Sequence, residues 1–138
     1  MPAVIEPEVA GGLGEGTVLD ASVHPPRVTT LVYEFEGWLG DDIVESFPCY
    51  LVTNELARAL SSSDLTGFSL ASASVRTTDE FSEHTPTPLP EFKWLQVIGQ
   101  PTVDDLWLHS DFRLALSDRA LEVFRAFNTD NAIIEPLA

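Results

Sequence analysis

Carboxylate pairs beside tryptophan are the most visible chemical feature of this 138-residue sequence. They fall in two segments, Trp38, Asp41, Asp42 and Glu45 in one and Asp104, Asp105 and Trp107 in the other. Paired carboxylates can serve general acid–base catalysis or bind calcium. Adjacent aspartates do not supply the alternating oxygens of a calcium loop, so no calcium site is predicted. An apolar anchor ringed by charge is typical of a protein interface, and a core tryptophan beside a solvated turn gives the same pattern.

The other residues that could carry chemistry are isolated from one another. His24, His84 and His109 occur without the H-x-x-x-H or paired-cysteine spacing of metal sites, so no metal ion or other cofactor is predicted. His109 lies two residues before Asp111, which leaves a small enzyme with a carboxylate and His109 in a pocket as an alternative function. Cys49 has no basic neighbour in the sequence, which favours a buried structural thiol. No catalytic residue is predicted.

The charge of the chain restricts its partners. There are 22 acidic against 7 basic residues, and the formal net charge is -15. Such a domain repels nucleic acid and anionic lipid, and its field attracts a basic protein. No apolar run approaches the roughly 20 residues of a membrane helix, and the single cysteine excludes an internal disulfide, which favours the cytoplasm. Acidity that serves only solubility is the competing explanation.

Residue patterns predict a single α+β domain. Residues 1–27, rich in proline and glycine, are predicted to be a flexible irregular arm, and residues 28–138 to form the domain. β-branched and aromatic residues predict strands at 28–36, 50–52, 67–76, 92–98, 113–116 and 132–135. Residues 77–90 hold three prolines and are predicted to be a mobile loop. The sheet is expected to be largely antiparallel or mixed, with a core of Leu31, Tyr33, Leu51, Val75, Leu95, Val97, Leu114 and Ile133.

Two amphipathic helices are predicted to pack on this sheet. One starts at Asn54, capped by Thr53 or by Asn54 itself, and the other starts at Asp118, capped by Ser117 or by Asp118. Each helix follows a short strand and precedes another strand, and the two segments are 64 positions apart. The shared order predicts a duplicated strand–cap–helix unit.

The same segments carry a family resemblance. YLVTNELARALSSSDLTGFSLASASV (residues 50–75) resembles a recurring stretch of bacterial polymorphic-toxin immunity proteins, and RLALSDRALEVFRAF (residues 113–127) resembles a second copy of it. Thr53-Asn54 stands where that stretch usually has Ser-Glu. Immunity proteins bind toxin domains, so the resemblance implies a non-enzymatic protein with a toxin partner and brings no catalytic residues.

Charge and resemblance together favour a cytoplasmic immunity protein that binds and occludes a basic toxin domain. The predicted partner-binding residues are Trp38, Asp41, Asp42, Glu45, Asp104, Asp105 and Trp107. An accessory or recognition protein of a biosynthetic or secretion system is the alternative within the same class. The enzyme with a His109 pocket is the alternative from another class.

Overall fold

Short strands dominate the part of the chain that the computed structural model describes, residues 1–84 and 88–137. The strands are β1 (Ala3–Glu6), β2 (Gly11–Leu13), β3 (Val18–Asp20), β4 (Arg27–Thr30), β5 (Val32–Phe35), β6 (Ile43–Ser46), β7 (Cys49–Thr53), β8 (Phe68–Ala71), β9 (Ser74–Thr77), β10 (Phe92–Val97), β11 (Leu106–Leu108), β12 (Leu114–Leu116) and β13 (Ile133–Pro136). The helices are α1 (Asn54–Ser62), α2 (Asp79–His84) and α3 (Asp118–Arg125). Within the described ranges, none of these helices has the length and apolar character that crossing a membrane requires.

Two four-stranded antiparallel sheets form the body of the fold. The first sheet has the order β6-β7-β10-β8, and the second has the order β11-β12-β1-β13. A side sheet of β2, β5 and β9 contains the parallel pair β5–β9, while β3 and β4 form a separate antiparallel pair. The predicted α+β class, with antiparallel and mixed sheets, is confirmed.

The two main sheets are built from the same unit. The first repeat consists of β6, β7, α1 and β8, and the second consists of β11, β12, α3 and β13. A strand from outside the unit, β10 or β1, occupies the third position of each sheet. Leu95 of β10 pairs with Tyr50 and Leu70, and Ile5 of β1 pairs with the residues 64 positions after these two. The repeats therefore correspond in register as well as in order.

Hydroxyl caps start α1 and α3 at corresponding positions. The Thr53 side chain accepts a hydrogen bond from the N–H of Leu56, and the Ser117 side chain accepts one from the N–H of Ala120. Such a cap satisfies one of the amide donors that a helix leaves unpaired at its start. Of the two caps considered for each helix, the hydroxyl residue is the one used.

The main core brings together the inward faces of both sheets and both long helices. Its largest contributors are Ile5, Ile43, Tyr50, Val52, Leu56, Leu60, Leu95, Leu106, Leu114, Leu116 and Phe124. Full burial of one such side chain contributes about 1.5–3 kcal/mol to folding. A second cluster, which includes Tyr33, Phe35 and Leu51, joins residues of the first sheet to residues of the side sheet. Cys49 is buried in that cluster, as predicted, and burial raises the pKa of its thiol to about 12.

The prediction of an irregular N-terminal arm is wrong. Residues 3–5 are buried, and β1 pairs with both β12 and β13 in the second sheet. Pro2 and Pro7 flank this strand without interrupting it, because proline is tolerated next to the paired residues. The domain therefore includes the N-terminal segment, and the predicted boundary at residue 28 is corrected.

The structure also differs from the sequence prediction at sheet edges and in loops. Residues 67–76 form two strands in different sheets, and part of the predicted 77–90 loop forms α2, while 85–87 lie outside the described residues. Val75 and Ile133, both predicted to lie in the core, are 38% and 57% exposed. Both lie on edge strands, where one face meets solvent, and successive residues of a strand face opposite sides. Ile134, next along β13, takes the inward position and packs on the main core.

Candidate functional site

Asp42 and Asp105 occupy corresponding positions, directly before β6 and β11. The Thr53 hydroxyl donates to Asp42 Oδ1 at 2.7 Å, and the Ser117 hydroxyl donates to Asp105 Oδ1 at 2.6 Å. Each hydroxyl thus accepts from the start of a helix and donates to an aspartate. The carboxylate fixes the capping side chain, which in turn fixes the helix start.

The second oxygen of each aspartate reaches the opposite repeat. The N–H of Asn128, beyond the end of α3, donates to Asp42 Oδ2 at 2.8 Å, and the N–H of Thr66, beyond the end of α1, donates to Asp105 Oδ2 at 3.0 Å. In return, the N–H groups of Asp42 and Asp105 donate to the carbonyls of Asn128 and Thr66. Hydrogen bonds to a charged group contribute about 1.5–3 kcal/mol each. These two predicted partner-binding residues therefore join the repeats to each other.

The pKa of Asp105 reflects this role. Burial alone would raise the pKa, but the hydrogen bonds from Ser117, Thr66 and Arg119 outweigh burial and hold it below its ordinary value. Arg119 also forms an ion pair with Asp105, with Nη2 and Oδ2 3.3 Å apart. The carboxylate therefore stays ionised, and Arg119 and the hydrogen bonds within the fold already compensate its charge.

Asp41 is held by the loop that follows α3, and Trp38 is held by Asp41 and Phe92. The Asp41 carboxylate is fully buried and accepts hydrogen bonds from the main-chain and side-chain nitrogens of Asn131, both at 2.9 Å. The Trp38 indole N–H donates to the Asp41 carbonyl at 2.9 Å, and its ring packs edge-on against Phe92 with centroids 6.1 Å apart. Trp38 keeps part of its surface exposed, whereas Asp41 has none to present.

Trp107 lies in another part of the molecule from Trp38. It is 4% exposed and packs in a small cluster with Val4 and Ala115, while Trp38 packs on the cluster beneath the side sheet. Asp104, three residues before Trp107, accepts a hydrogen bond from the N–H of Gln100 at 2.7 Å. The predicted ring of carboxylates around two tryptophans is therefore not formed.

Glu45 and Glu8 are carboxylates in surroundings that disfavour their ionised form. Burial, with a smaller contribution from the nearby Glu6 carboxylate, raises the pKa of Glu45 to about 7. Glu8 is 7% exposed, and one of its oxygens has no hydrogen-bond partner among the described residues. Burial is the main cause that raises the pKa of Glu8, and the Asp41 carboxylate adds to it. Glu45 is thus a titrating group near neutral pH, not a permanent steering charge.

His109 lies in the turn between β11 and β12. The main-chain N–H of His109 donates to the Arg113 carbonyl at 2.8 Å, and the Arg113 guanidinium binds the Asp111 carboxylate at 2.7 Å. The carboxylate nearest to His109 in sequence is therefore engaged by an arginine. Across residues 1–84 and 88–137, no group of three or more His, Cys, Asp or Glu side chains is placed to hold a metal ion.

A groove of about 650 Å³ runs between α1 and the edge of the first sheet and is open to solvent. Its lining residues are Asn54, Ala57, Arg58, Ser61, Ser62, Leu70, Ala71, Ser72 and Lys93. Two of the seven basic residues of the chain, Arg58 and Lys93, meet here. Sequence reasoning missed this site because the two lie 35 positions apart and only the pairing of β7 with β10 brings them together.

The polar groups of the groove are incompletely paired. Arg58 and Lys93 are exposed, and neither forms an ion pair with a residue that the structure describes. The Asn54 side-chain nitrogen donates to Glu91 at 2.7 Å, while its buried oxygen has no partner within the described ranges. The groove therefore offers two positive charges, and one unpaired acceptor lies buried in its wall.

Comparisons with known proteins add no relative. No protein-family model matches the sequence, and no curated protein and no solved structure matches it either. The resemblance to immunity proteins accordingly stays a prediction from the sequence.

Proposed function

We propose that this chain is a cytoplasmic immunity protein that binds and occludes a basic toxin domain and has no catalytic activity of its own. The observation that carries the proposal is the excess of 22 acidic over 7 basic residues. Of the 22 acidic residues, the ion pairs among described residues engage Glu6, Asp105, Asp111, Asp118 and Glu135. The surplus produces a negative field that attracts a basic partner and speeds its association.

The proposed contact surface is named the acidic face and comprises Glu36, Trp38, Asp79 and Glu80. Its three carboxylates are exposed and form no ion pair with a described residue. They are brought together by the N–H of Thr78, which donates to the Phe35 carbonyl at 3.0 Å and sets the start of α2 beside the end of β5. Carboxylates around a half-buried indole provide an apolar anchor with a charged rim.

A shared aromatic cluster supports this surface. Trp38 packs on Phe92, which packs on Phe35, and Phe35 also packs on Phe81 of α2. The indole and the acidic helix are therefore fixed to the same rigid base. Of the predicted partner-binding residues, the acidic face retains Trp38. Its three carboxylates take the place of the predicted aspartates, whose carboxylates form hydrogen bonds within the fold.

The test of immunity is growth rescue. Genes for immunity proteins of the resembled family usually lie beside the toxin gene, so the neighbouring product is expressed alone and together with this chain. Growth arrest by the neighbouring product that co-expression relieves is the expected result. A neighbour that does not arrest growth, or an arrest that co-expression leaves unchanged, would contradict the proposal.

The test of the acidic face is association kinetics with an inactive variant of that toxin. Neutralising the face by Glu36→Gln, Asp79→Asn and Glu80→Gln should slow association about tenfold and flatten its dependence on salt. The control removes the same charge elsewhere, by Glu15→Gln, Glu122→Gln and Asp130→Asn, at exposed positions. If both triple variants associate at the wild-type rate with the same salt dependence, acidity serves only solubility.

A further inference from the structure

We propose that the groove between α1 and the first sheet binds a short, extended, acidic peptide segment of a partner protein. The proposal goes beyond toxin occlusion and does not depend on it. It combines the two unpaired cations of the groove, its unpaired acceptor and the contrast with the same place in the second repeat.

Two exposed cations share one groove in a chain that has three acidic residues to every basic one. Arg113 lies within 4.0 Å of carboxylate oxygens of three residues, and Arg119 binds Asp105. Arg58 and Lys93 have no such partner among described residues, although they share one groove. Carboxylates are the ligands that guanidinium and ammonium groups bind with charge-assisted hydrogen bonds. The pair therefore selects a ligand with carboxylates.

The Asn54 oxygen adds a requirement that a free carboxylate does not meet. A buried acceptor without a donor is unfavourable, and the amide nitrogen of Asn54 is already committed to Glu91. A ligand that presents an N–H to this oxygen removes the defect. A peptide supplies main-chain N–H groups together with glutamate or aspartate side chains, so a peptide satisfies both parts of the site.

Glu91 sets the direction of such a ligand. It lies beside Asn54 at one end of the site and would repel a carboxylate placed there. The acidic side chains must therefore lie toward Arg58 and Lys93, with a main-chain N–H toward Asn54. In an extended peptide alternate side chains face the same way, so two acidic residues separated by one residue suit the groove.

The second repeat has acidic residues at the two helix positions that matter most for this groove. The residues that correspond to Asn54 and Arg58 are Asp118 and Glu122, 64 positions later. The Asp118 carboxylate forms an ion pair with the positively charged amino group of Met1, at 2.6 and 2.7 Å. Acidic side chains at both helix positions of the second repeat repel a carboxylate ligand, so the proposed ligand is expected at the first repeat.

The experiment measures peptide binding by fluorescence anisotropy. The probe is labelled Gly-Glu-Ala-Glu-Gly with blocked ends, and the control peptide has glutamine in place of both glutamates. We expect the glutamate peptide to bind at least about tenfold more tightly than the glutamine peptide. The variant with Arg58→Ala and Lys93→Ala should weaken this binding about tenfold, and Arg125→Ala, at an exposed arginine of α3 without a described ion pair, should leave it unchanged.

Several outcomes would overturn the proposal. They are equal affinity for the two peptides, no binding of the glutamate peptide at millimolar concentration, and an equal loss in the Arg125→Ala variant. If the double variant melts at a lower temperature than the wild type, amide chemical shifts of the wild type decide the question. Peptide-induced shifts confined to α1, β8 and β10 support the groove, and shifts elsewhere exclude it. Toxin neutralisation by the double variant reports separately on the immunity proposal.

Discussion

The two repeats share their internal contacts and differ in what they expose. In both, a hydroxyl cap donates to an aspartate that also binds the loop after the helix of the other repeat. On the surface, Arg58 of the first repeat corresponds to Glu122 of the second, and each of them lines an open groove. Reciprocal bonds constrain the buried positions, whereas outward positions are free to differ. An acidic ligand is therefore expected to bind at the first repeat.

The outer faces of the two sheets differ in a related way. The side sheet packs over the first sheet, where Trp94 lies on the central strand β10. On the outer face of the second sheet, the described residues form only a small cluster, in which Trp107 of the edge strand β11 packs with Val4 of β1. The first sheet thus has an outer tryptophan on an inner strand, and the second sheet has one on an edge strand. Substitutions in the two repeats test this comparison, from the largest expected loss of stability to the smallest.

The largest effect is expected at the helix residues that fill the shared core. Leu60 and Phe124 correspond in position and are fully buried. Leu60→Ala should lower the free energy of unfolding by about 2–5 kcal/mol and Phe124→Ala by about 3–5 kcal/mol, because each leaves a cavity. Urea denaturation measures both, with Leu39→Ala at a 70% exposed position as the control. A loss below about 1 kcal/mol in only one of them would show that the repeats do not share one core.

Next in size are the aspartates that join the repeats. Asp42→Ala and Asp105→Ala each remove hydrogen bonds to a cap hydroxyl and to a main-chain N–H, so each should cost about 2–4 kcal/mol. Asp130→Ala, at an exposed residue, is the matched control in the same denaturation experiment. Losses no greater than that of the control would mean that these carboxylates are surface charges after all.

A smaller, pH-dependent effect is expected at Glu45, which pairs with Tyr50 as Leu108 pairs with Leu114 in the second repeat. Because the folded-state pKa is raised from 4.5 to about 7, folded protein keeps a proton that unfolded protein has lost between these values. The contribution of Glu45 to stability is therefore greatest below pH 4.5, falls as pH rises to about 7, and is constant above it. Glu45→Gln should raise stability at pH 8 by about 1–3 kcal/mol relative to the wild type. Equal stability curves for the two proteins from pH 4 to 8 would contradict the assignment.

The smallest effect is expected at the strand edges. Ile133→Ala should change the free energy of unfolding by less than about 0.5 kcal/mol, because the side chain is 57% exposed. Ile134→Ala, on the inward face of the same strand, should cost several times more. Thermal melts of the two variants measure the contrast. A reversed order would restore the core assignment that the sequence predicted for Ile133.

Local chemistry was predictable from the sequence, and distant pairing was not. The caps at Thr53 and Ser117 depend on residues three positions away, so the pattern contained them. β1 is only four residues long, and its partners lie more than 100 positions further along the chain. The acidity of Asp42 and Asp105 was visible, but their partners come from the opposite repeat and leave no local signal. The sequence therefore predicts exposure for Asp42 and Asp105, although both carboxylates form hydrogen bonds within the fold.

Each main sheet takes its third strand, β10 or β1, from outside its own repeat. This arrangement has a consequence for the order of folding. β1 is synthesised first, yet its neighbours β12 and β13 are nearly the last strands to leave the ribosome. Contacts between residues so distant in sequence must close large loops, which slows folding. The first sheet likewise lacks its third strand until β10 has been made. Neither repeat can complete a sheet alone, so the nascent chain is expected to remain sensitive to proteases until β13 has been made.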